Sequence, residues 1–362
     1  MKKTVLLVIV LILIAAVIFF ISSKVAPEKQ GVESDGGEVP INLKSERVKA
    51  KVGRYPVAKE LIDPDAYINI DSITISELVG KKVILFDFWT YSCINCQRTL
   101  PYLNAWYEKY KDDGLEIVGV HSPEFEFEKD LENVKKAVEK FNVKYPVALD
   151  NDMKTWRAYR NRYWPHKYLI DIDGFIVYDH IGEGAYEQTE KKIQELLEER
   201  MQVLQLEMDI ETDTSTPEAF DVDFQKIGTS ELYFGYKFQR PGQIGNEEGF
   251  VPGQIVSYSI PAETENNKFY LEGSWFNGMD SMELKDSEGK IQLTFTAKNV
   301  YLVTGSDKET TLIIKLDGER VNELTVRDNT LYEIVSLEKY EQHLLEIEVT
   351  GVGFKIYTFT FG

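Results

Sequence analysis

The chain has 362 residues and a formal net charge of -19, with 60 acidic and 41 basic side chains. This excess of negative charge argues against a nucleic-acid partner and offers no basic surface for anionic lipids, so we interpret it as a solvated acidic surface. The two cysteines lie three positions apart, which excludes a disulfide framework and a four-cysteine metal site.

The first feature in chain order is an apolar run at residues 5–21, preceded by Lys2 and Lys3. As a helix this run would measure about 26 Å, close to the thickness of a bilayer core. We expect residues 1–23 to form an uncleaved signal anchor, with a cytoplasmic N-terminus and an extracytoplasmic body. A cleaved signal peptide is the alternative, although the run is long for one and residues 21–26 form a weak cleavage site.

Residues 24–60 are polar, glycine-bearing and aperiodic. This composition predicts a flexible linker, because it offers no apolar face that could pack against a core. Such a linker would hold the exported body close to the outer face of the membrane.

Strand and helix patterns alternate over residues 61–202, which is the order of a thioredoxin-like α/β layer. The predicted strands are 83–88, 115–120, 145–149, 168–171 and 175–178. The predicted helices are 99–111, 127–141, 152–159 and 186–201.

The pattern changes again after this segment. Residues 203–219 are acidic and threonine-rich and are interpreted as a second linker. Residues 220–362 show almost no helical periodicity, and short alternating runs are separated by turn residues such as Asp317 and Gly318. About 140 residues of this kind predict an all-β sandwich, similar to a jelly roll.

The motif Cys93-Ile94-Asn95-Cys96 stands between the buried strand 83–88 and a helix. A Cys-x-x-Cys in this setting predicts a thioredoxin-type redox site. Free N–H groups at the helix N-terminus favour the thiolate of Cys93, so Cys93 is the predicted nucleophile and Cys96 resolves the mixed disulfide.

Other chemistries of this motif fit poorly. Covalent haem attachment needs a histidine at position 97, where the chain has Gln97. The four histidines form no zinc-ligand spacing with the cysteines. We therefore expect no metal and no cofactor beyond a redox-active disulfide between Cys93 and Cys96.

Supporting residues are predicted on both sides of the dithiol. Asp87 and Trp89 lie on the strand that leads into the motif, and strand alternation can place Asp87 beneath the thiols as a proton acceptor for Cys96. The alternative for Asp87 is a solvated carboxylate at a sheet edge.

Pro165 precedes a predicted strand and is a candidate for a cis peptide bond next to the dithiol, or else an ordinary loop proline. Trp164 is either a packing residue or a platform for substrate. Arg160 either adds to stabilisation of the thiolate or is simply solvated.

Residues 87–98, which read Asp-Phe-Trp-Thr-Tyr-Ser-Cys-Ile-Asn-Cys-Gln-Arg, closely resemble the thioredoxin-like domain of DipZ-type proteins, a branch of the TlpA-like thiol–disulfide oxidoreductases. Residues 119–125 and 159–165 continue the resemblance. It implies that Cys93 and Cys96 are the redox pair, that Pro165 is the cis-proline and that Asp87 is a buried carboxylate under the site.

The resemblance also marks residues 121–124 as a family feature. Read alone, this segment predicts a helix start, with Ser122 as N-cap, Pro123 in the first turn and Glu124 near the helix dipole. A role for Glu124 near the thiols is the alternative.

The C-terminal part is similar, at residues 229–235, 297–303 and 357–362, to the DipZ-type β-sandwich that resembles carbohydrate-binding modules. Trp275, Phe276, Tyr233 and Tyr236 are candidates for glycan binding, and buried packing is the alternative for each. DipZ proteins usually begin with a multi-helix CcdA-like membrane domain, whereas this sequence has one apolar run. The resemblance therefore implies a separate CcdA- or DsbD-like electron donor.

The combined expectation is a membrane-anchored, extracytoplasmic enzyme that reduces disulfides of exported proteins. A thiol oxidase or isomerase using the same residues is one alternative. A cell-surface protein in which the β-sandwich binds carbohydrate or protein, with an auxiliary redox domain, is another.

Overall fold

The computed structural model describes residues 37–207, 209–218 and 222–362. The predicted anchor at residues 1–23 and the first part of the predicted linker lie outside these ranges. Within them, no helix is both long and apolar enough to cross a bilayer.

The first domain is built on a six-stranded sheet with the order β1-β4-β3-β2-β5-β6. Strands β2, β3 and β4 are parallel, whereas β5 runs antiparallel to both β2 and β6. The strands are β1 Ala66–Ile68, β2 Val83–Trp89, β3 Leu115–His121, β4 Val147–Leu149, β5 His166–Ile170 and β6 Ile176–Ile181.

Helices cover this sheet, so the predicted α/β layer is confirmed. They are Glu46–Lys51, Ile75–Leu78, Ile94–Tyr110, Leu131–Lys140, Lys154–Ala158 and Tyr186–Leu204, with a 3₁₀ turn at Glu126–Lys129. The predicted helix 127–141 is divided in two because the Asp130 side chain accepts hydrogen bonds from the backbone N–H groups of Glu132 and Asn133 and starts a new helix there.

The central strand β2 is buried along its whole length, so both of its faces contact apolar layers. Leu85 and Trp89 belong to the core that also contains Cys96, whereas Phe86 and Phe88 belong to the core on the opposite face. Because side chains alternate along a strand, Asp87 lies on the same face as Leu85 and Trp89, which is the face of the cysteine helix.

Residues 37–60 were expected to be flexible linker, and this expectation is wrong. The helix Glu46–Lys51 packs on the first domain with Val48 fully buried. The Nζ atom of Lys51 lies 2.6 Å from Asp171, 3.0 Å from Asp173 and 2.6 Å from Glu199. Val39 and Ala58 are also buried in the apolar core, so ion pairs and apolar packing together hold the segment in place.

The described part of the predicted second linker also packs against the first domain. Ile210 is buried, and the backbone N–H of Ser215 donates to Glu190 over 2.6 Å. The carbonyl of Glu211 accepts from the hydroxyl of Tyr110 over 3.2 Å.

The second domain is largely β, as predicted. Its strands form one antiparallel sheet with the order β13-β12-β14-β11-β15-β10-β9-β8, and β7 pairs with β15. They are β7 Leu232–Tyr233, β8 Ile255–Tyr258, β9 Phe269–Asn277, β10 Met282–Leu284, β11 Glu288–Ser306, β12 Thr310–Leu316, β13 Glu319–Val326, β14 Thr330–Thr350 and β15 Phe354–Phe361.

The long strands allow this sheet to fold over its own core. β11 pairs with β9 through residues 290–293 and with β15 through residues 300–306. Irregular register near Ala297 and Val300 separates these two regions of β11. The inward-facing residues of both regions meet in a single apolar core.

Two of the four candidate sugar-binding aromatics belong to the protein interior. Trp275 is fully buried and Tyr233 is buried, so neither offers a ring face to a glycan. Phe276 is half-buried and Tyr236 is exposed.

The two domains share an apolar contact around the cysteine helix. Ile94 and Phe125 of the first domain form one buried cluster with Tyr301, Leu331 and Tyr357 of the second. The hydroxyl of Tyr91 also donates across this contact to the backbone carbonyl of Asn329 over 3.2 Å. The β domain is therefore packed directly against the dithiol region.

Candidate active site

The two cysteines occupy different environments at the start of one helix. Cys93 is the N-cap of the helix Ile94–Tyr110 and is partly exposed, whereas Cys96 lies one turn further in and is 1% exposed. The predicted helix began at residue 99, so the structure extends it by five residues and places both sulfurs on it. An incoming disulfide can reach Cys93 but not Cys96.

Burial raises the pKa of the Cys96 thiol well above its ordinary value, and the neighbouring Cys93 and Asp87 add to this effect. At neutral pH Cys96 therefore carries its proton. A thiol is a poor nucleophile until it loses that proton, so the resolving step needs a nearby base.

Asp87 is the buried carboxyl group on the dithiol side of β2. It is 1% exposed, and its Oδ1 atom has no hydrogen-bond partner among the described residues. Burial raises the pKa of Asp87 to about 7, and the positive charge of Lys167 acts in the opposite direction. The alternative of a solvated carboxylate at a sheet edge is wrong, because β2 is central and buried.

Lys167 was not singled out from the sequence. It is paired with Asp87 in the antiparallel register of β2 and β5, and it is fully buried. Its Nζ atom donates to the carbonyl of Gly182 over 2.9 Å. Burial lowers the pKa of Lys167, while Asp87, Cys96 and Glu183 oppose that shift. The signal in the sequence was a lysine next to an apolar strand. The strand was predicted to begin at residue 168, which placed Lys167 just outside it.

Tyr145 is a second group beneath the dithiol that the sequence did not indicate. Its hydroxyl is buried without a hydrogen-bond partner in the described structure. Burial together with the charges of Asp87 and Cys96 raises the pKa of Tyr145 well above its usual value. The hydroxyl therefore stays protonated and is a candidate donor to a charged neighbour.

Trp164 and Pro165 lie against the accessible sulfur. The peptide bond between them is cis, and the Sγ atom of Cys93 is 4.0 Å from the backbone carbonyl oxygen of Trp164. The indole N–H of Trp164 donates to the carbonyl of Ser122 over 2.9 Å, and its ring lies 4.2 Å from that of Trp156. Trp164 is thus held in place by a hydrogen bond and by ring packing within the first domain.

Trp89 is fully buried and packs edge-on against His121, with ring centroids 5.2 Å apart. Burial lowers the pKa of His121 to about 3, so this imidazole is neutral and is not an acid for the site at neutral pH. Arg160 is exposed, and its guanidinium makes no hydrogen bond or ion pair within the described ranges. The structure thus gives Trp89 a packing position and leaves Arg160 without a link to the thiols.

The interpretation of Ser122 and Glu124 as the start of a helix is wrong. The hydroxyl of Ser122 donates to Asp150 over 3.1 Å, and the following 3₁₀ turn begins only at Glu126. The carboxylate of Glu128 accepts from the backbone N–H groups of Glu124 and Phe125 over 2.6 and 2.9 Å. This loop directs Glu124 toward the β domain.

Cys93 opens into a cleft of about 320 Å³ between the two domains. The first domain contributes residues from the cysteine motif together with Glu124, and the β domain contributes residues from three separate segments. Among the lining residues are Cys93, Asn95, Glu124, Glu231, Thr360 and Phe361. A substrate that reaches Cys93 therefore contacts both domains.

Comparison with known proteins matches both domains to known families. The model of the AhpC/TSA family matches residues 58–179, and the model described as "Thioredoxin like C-terminal domain" matches residues 229–362. Protein DipZ of Mycobacterium bovis is 36% identical over 293 residues, which are 80% of this chain and 40% of DipZ.

Two shorter relatives are matched over most of their own length. Thiol-disulfide oxidoreductase ResA of Bacillus cereus is 37% identical over 34% of this chain and 68% of ResA. Thiol-disulfide oxidoreductase YkuV of Bacillus subtilis is 30% identical over 39% of this chain and 93% of YkuV. The chain belongs to the family of TlpA/DipZ-type thiol–disulfide oxidoreductases.

The candidate site has the groups that thiol–disulfide exchange requires. An accessible sulfur at a helix N-terminus is followed by a buried second sulfur, and a buried carboxyl group lies on the same side of the sheet. Because the pKa of Asp87 is raised to about 7, its carboxylate is a stronger base than an ordinary aspartate at neutral pH.

Proposed function

We propose that the protein is a membrane-anchored, extracytoplasmic reductase of disulfides in exported proteins. The observation that carries the proposal is the contrast between Cys93, partly exposed at the helix N-cap, and Cys96, buried one turn further in. This contrast supports a fixed order in which Cys93 meets the substrate first.

In the first step the thiolate of Cys93 attacks one sulfur of the substrate disulfide. The substrate disulfide bond breaks, a mixed disulfide with Cys93 forms, and the departing substrate thiolate takes a proton. In the second step Cys96 gives its proton to the carboxylate of Asp87 and attacks the sulfur of Cys93. The bond between Cys93 and the substrate breaks, and the second substrate thiolate leaves and takes a proton. The dithiol has then given two electrons to the substrate and is itself oxidised to the Cys93–Cys96 disulfide.

The cycle then needs an external reductant, because the chain has two cysteines and both are used. We propose a separate membrane protein of the CcdA or DsbD type, whose dithiol reduces the Cys93–Cys96 disulfide by the same exchange in reverse. The apolar run at residues 5–21 supports an anchor that would keep the dithiol near such a donor. Membrane fractionation of the full chain beside a form that lacks residues 1–36 tests the anchor.

A trapping experiment tests the assignment of the two sulfurs. The Cys96→Ser variant should accumulate mixed disulfides through Cys93, and the trapped proteins identify both the substrates and the electron donor. The Cys93→Ser variant is the matched control and should trap nothing. Trapping by Cys93→Ser alone would reverse the roles of the two cysteines.

The reduction potential of the dithiol separates a reductase from an oxidase. Thioredoxin has a potential of about -270 mV and the oxidant DsbA one of about -120 mV. Equilibration with glutathione should place this protein near the thioredoxin value. A potential near that of DsbA would contradict the proposed direction and support a thiol oxidase.

A further inference from the structure

The cleft beside Cys93 contains two carboxyl groups that come from different domains. The hydroxyl of Tyr233 lies 2.8 Å from Glu124 and 2.8 Å from Glu231. A phenol has one hydrogen, so it can donate to only one of these carboxylates. The second short contact requires a proton on a carboxyl group.

The charges around this pair support the same conclusion. Burial raises the pKa of both Glu124 and Glu231. The charges of Glu231 and Glu128 raise the pKa of Glu124 further. The cations that act on the pair are Lys237 and Arg240, and in the described structure neither reaches ion-pair distance. The free protein therefore holds two carboxyl groups and a proton where a cation could sit.

A buried hydroxyl faces the same cleft without a partner. Thr360 is 6% exposed, and its Oγ1 atom has no hydrogen bond within the described ranges. The neighbouring hydroxyl of Thr358, by contrast, donates to the carbonyl of Leu232 over 3.0 Å. An unpaired buried hydroxyl is unfavourable, so Thr360 points to a polar group that arrives with a ligand.

We propose that this cleft takes a lysine or arginine side chain that flanks a cysteine of the substrate disulfide, with Glu124 and Glu231 as its carboxylate partners and Thr360 as an additional acceptor. The inference rests on the proposed function, because it names the class of substrate that Cys93 attacks. The described residues lining the cleft include no lysine or arginine.

The physical reason is charge complementarity at a partly enclosed site. When an ammonium or guanidinium group enters, the shared proton is released to solvent and the cation donates to both carboxylates. Such charge-assisted hydrogen bonds are the stronger kind. An acidic side chain would be repelled, and an apolar one would leave both carboxyl groups without a new partner. The cleft therefore selects for positive charge beside the disulfide.

The test uses three disulfide peptides that differ only at the residue next to cysteine, which is lysine, norleucine or glutamate. The reduced full-length protein is mixed with each peptide, and kcat/KM or the single-turnover rate is measured. We expect the lysine peptide to react about tenfold faster than the norleucine peptide, and the glutamate peptide to react slowest. Equal rates for all three would overturn the inference and leave the proposed function standing, whereas no reduction of any peptide would overturn both.

Variants of the cleft locate the effect. In Glu231→Gln the preference for lysine over norleucine should fall toward equality, since one of the two carboxylates is gone. Glu272→Gln, an exposed position on β9, is the matched control and should keep the full preference. A preference that survives both Glu231→Gln and Glu124→Gln would contradict the assigned site. The comparison among peptides with the unmodified protein decides the inference even if a variant does not fold.

Discussion

Asp87 and Lys167 face each other across β2 and β5, and both are buried beneath the dithiol. Buried charges in proteins are usually paired, because an isolated one is costly to desolvate. Here the pairing is incomplete, since Asp87 Oδ1 lacks a hydrogen-bond partner in the described structure. The carboxyl group is thus left free to exchange a proton with Cys96.

Replacing Asp87 should change how stability depends on pH. Burial raises the pKa of Asp87 from 3.8 to about 7 in the folded protein. Between pH 4 and pH 7 the folded state therefore binds a proton that the unfolded state has lost, so stability falls as pH rises. Relative to Asp87→Asn, the free energy of unfolding of the unmodified protein should fall by about 2–4 kcal/mol between pH 4 and pH 8. Urea unfolding at several pH values measures this, with the exposed Asp112→Asn as control.

Removing Lys167 should shift the pH dependence of the resolving step. The positive charge of Lys167 lowers the pKa of Asp87, so Lys167→Met should raise that pKa further. Resolution of a Cys93 mixed disulfide requires the carboxylate form of Asp87, and its rate should rise with pH to a plateau. We expect the midpoint near pH 7 in the unmodified protein and at higher pH in the variant.

Stopped-flow mixing of the reduced protein with a small disulfide, followed by mass spectrometry, measures this rate. The control is Lys144→Met, an exposed lysine of the same domain, which should leave the midpoint where it was. Identical profiles for all three proteins would show that Lys167 does not act on the proton acceptor.

The segment before the first strand should contribute to stability through Lys51. This side chain is 15% exposed and contacts three carboxylates. Lys51→Met leaves these carboxylates without their shared cation and should destabilise the protein by about 3 kcal/mol. Lys49→Met is the matched control, because Lys49 forms only an exposed pair with Glu46, and we expect less than about 0.5 kcal/mol. Chemical denaturation of both variants decides whether the helix Glu46–Lys51 is part of the folded unit.

The contact between the domains should depend on Phe125. Its ring centroid lies 5.1 Å from that of Tyr357 and 5.8 Å from that of Phe238, both in the β domain. Phe125→Ala removes a fully buried ring and should cost about 3–5 kcal/mol. Phe224→Ala is a suitable control, because Phe224 is 54% exposed. Calorimetry should show a lower unfolding temperature for Phe125→Ala, and two separate transitions would indicate that the domains have come apart.

Local patterns predicted the cysteine pair of the candidate redox centre. Cys93 and Cys96 lie one helical turn apart, and Asp87 lies on the strand that directly precedes this helix. A short segment therefore contains all three. Strand alternation relates Asp87 to Trp89 without reference to any other part of the chain. The position of Pro165 before a strand left a cis-proline and an ordinary loop proline open, and the family resemblance implied the cis-proline.

Lys167 was missed because its importance depends on strand pairing rather than on its own surroundings in sequence. Only the antiparallel register of β2 and β5 brings it opposite Asp87. The polar segment around Lys51 was misread for a related reason. Its ion pairs are formed with residues about 120 to 150 positions later, and composition cannot distinguish such a segment from a solvated one.

For Asp87 the residues alone left a buried and a solvated position open. The sequence by itself determined the dithiol motif and the α/β and β character of the two domains. Each of these depends on residues close together in the chain, where helix and strand periodicity relate side chains directly. Only the tertiary structure decided that Glu124 meets Tyr233, 109 positions away, and that the β domain forms one wall of the cleft at Cys93. Contacts between distant segments depend on how the two folded domains pack against each other, and helix or strand periodicity does not predict that packing.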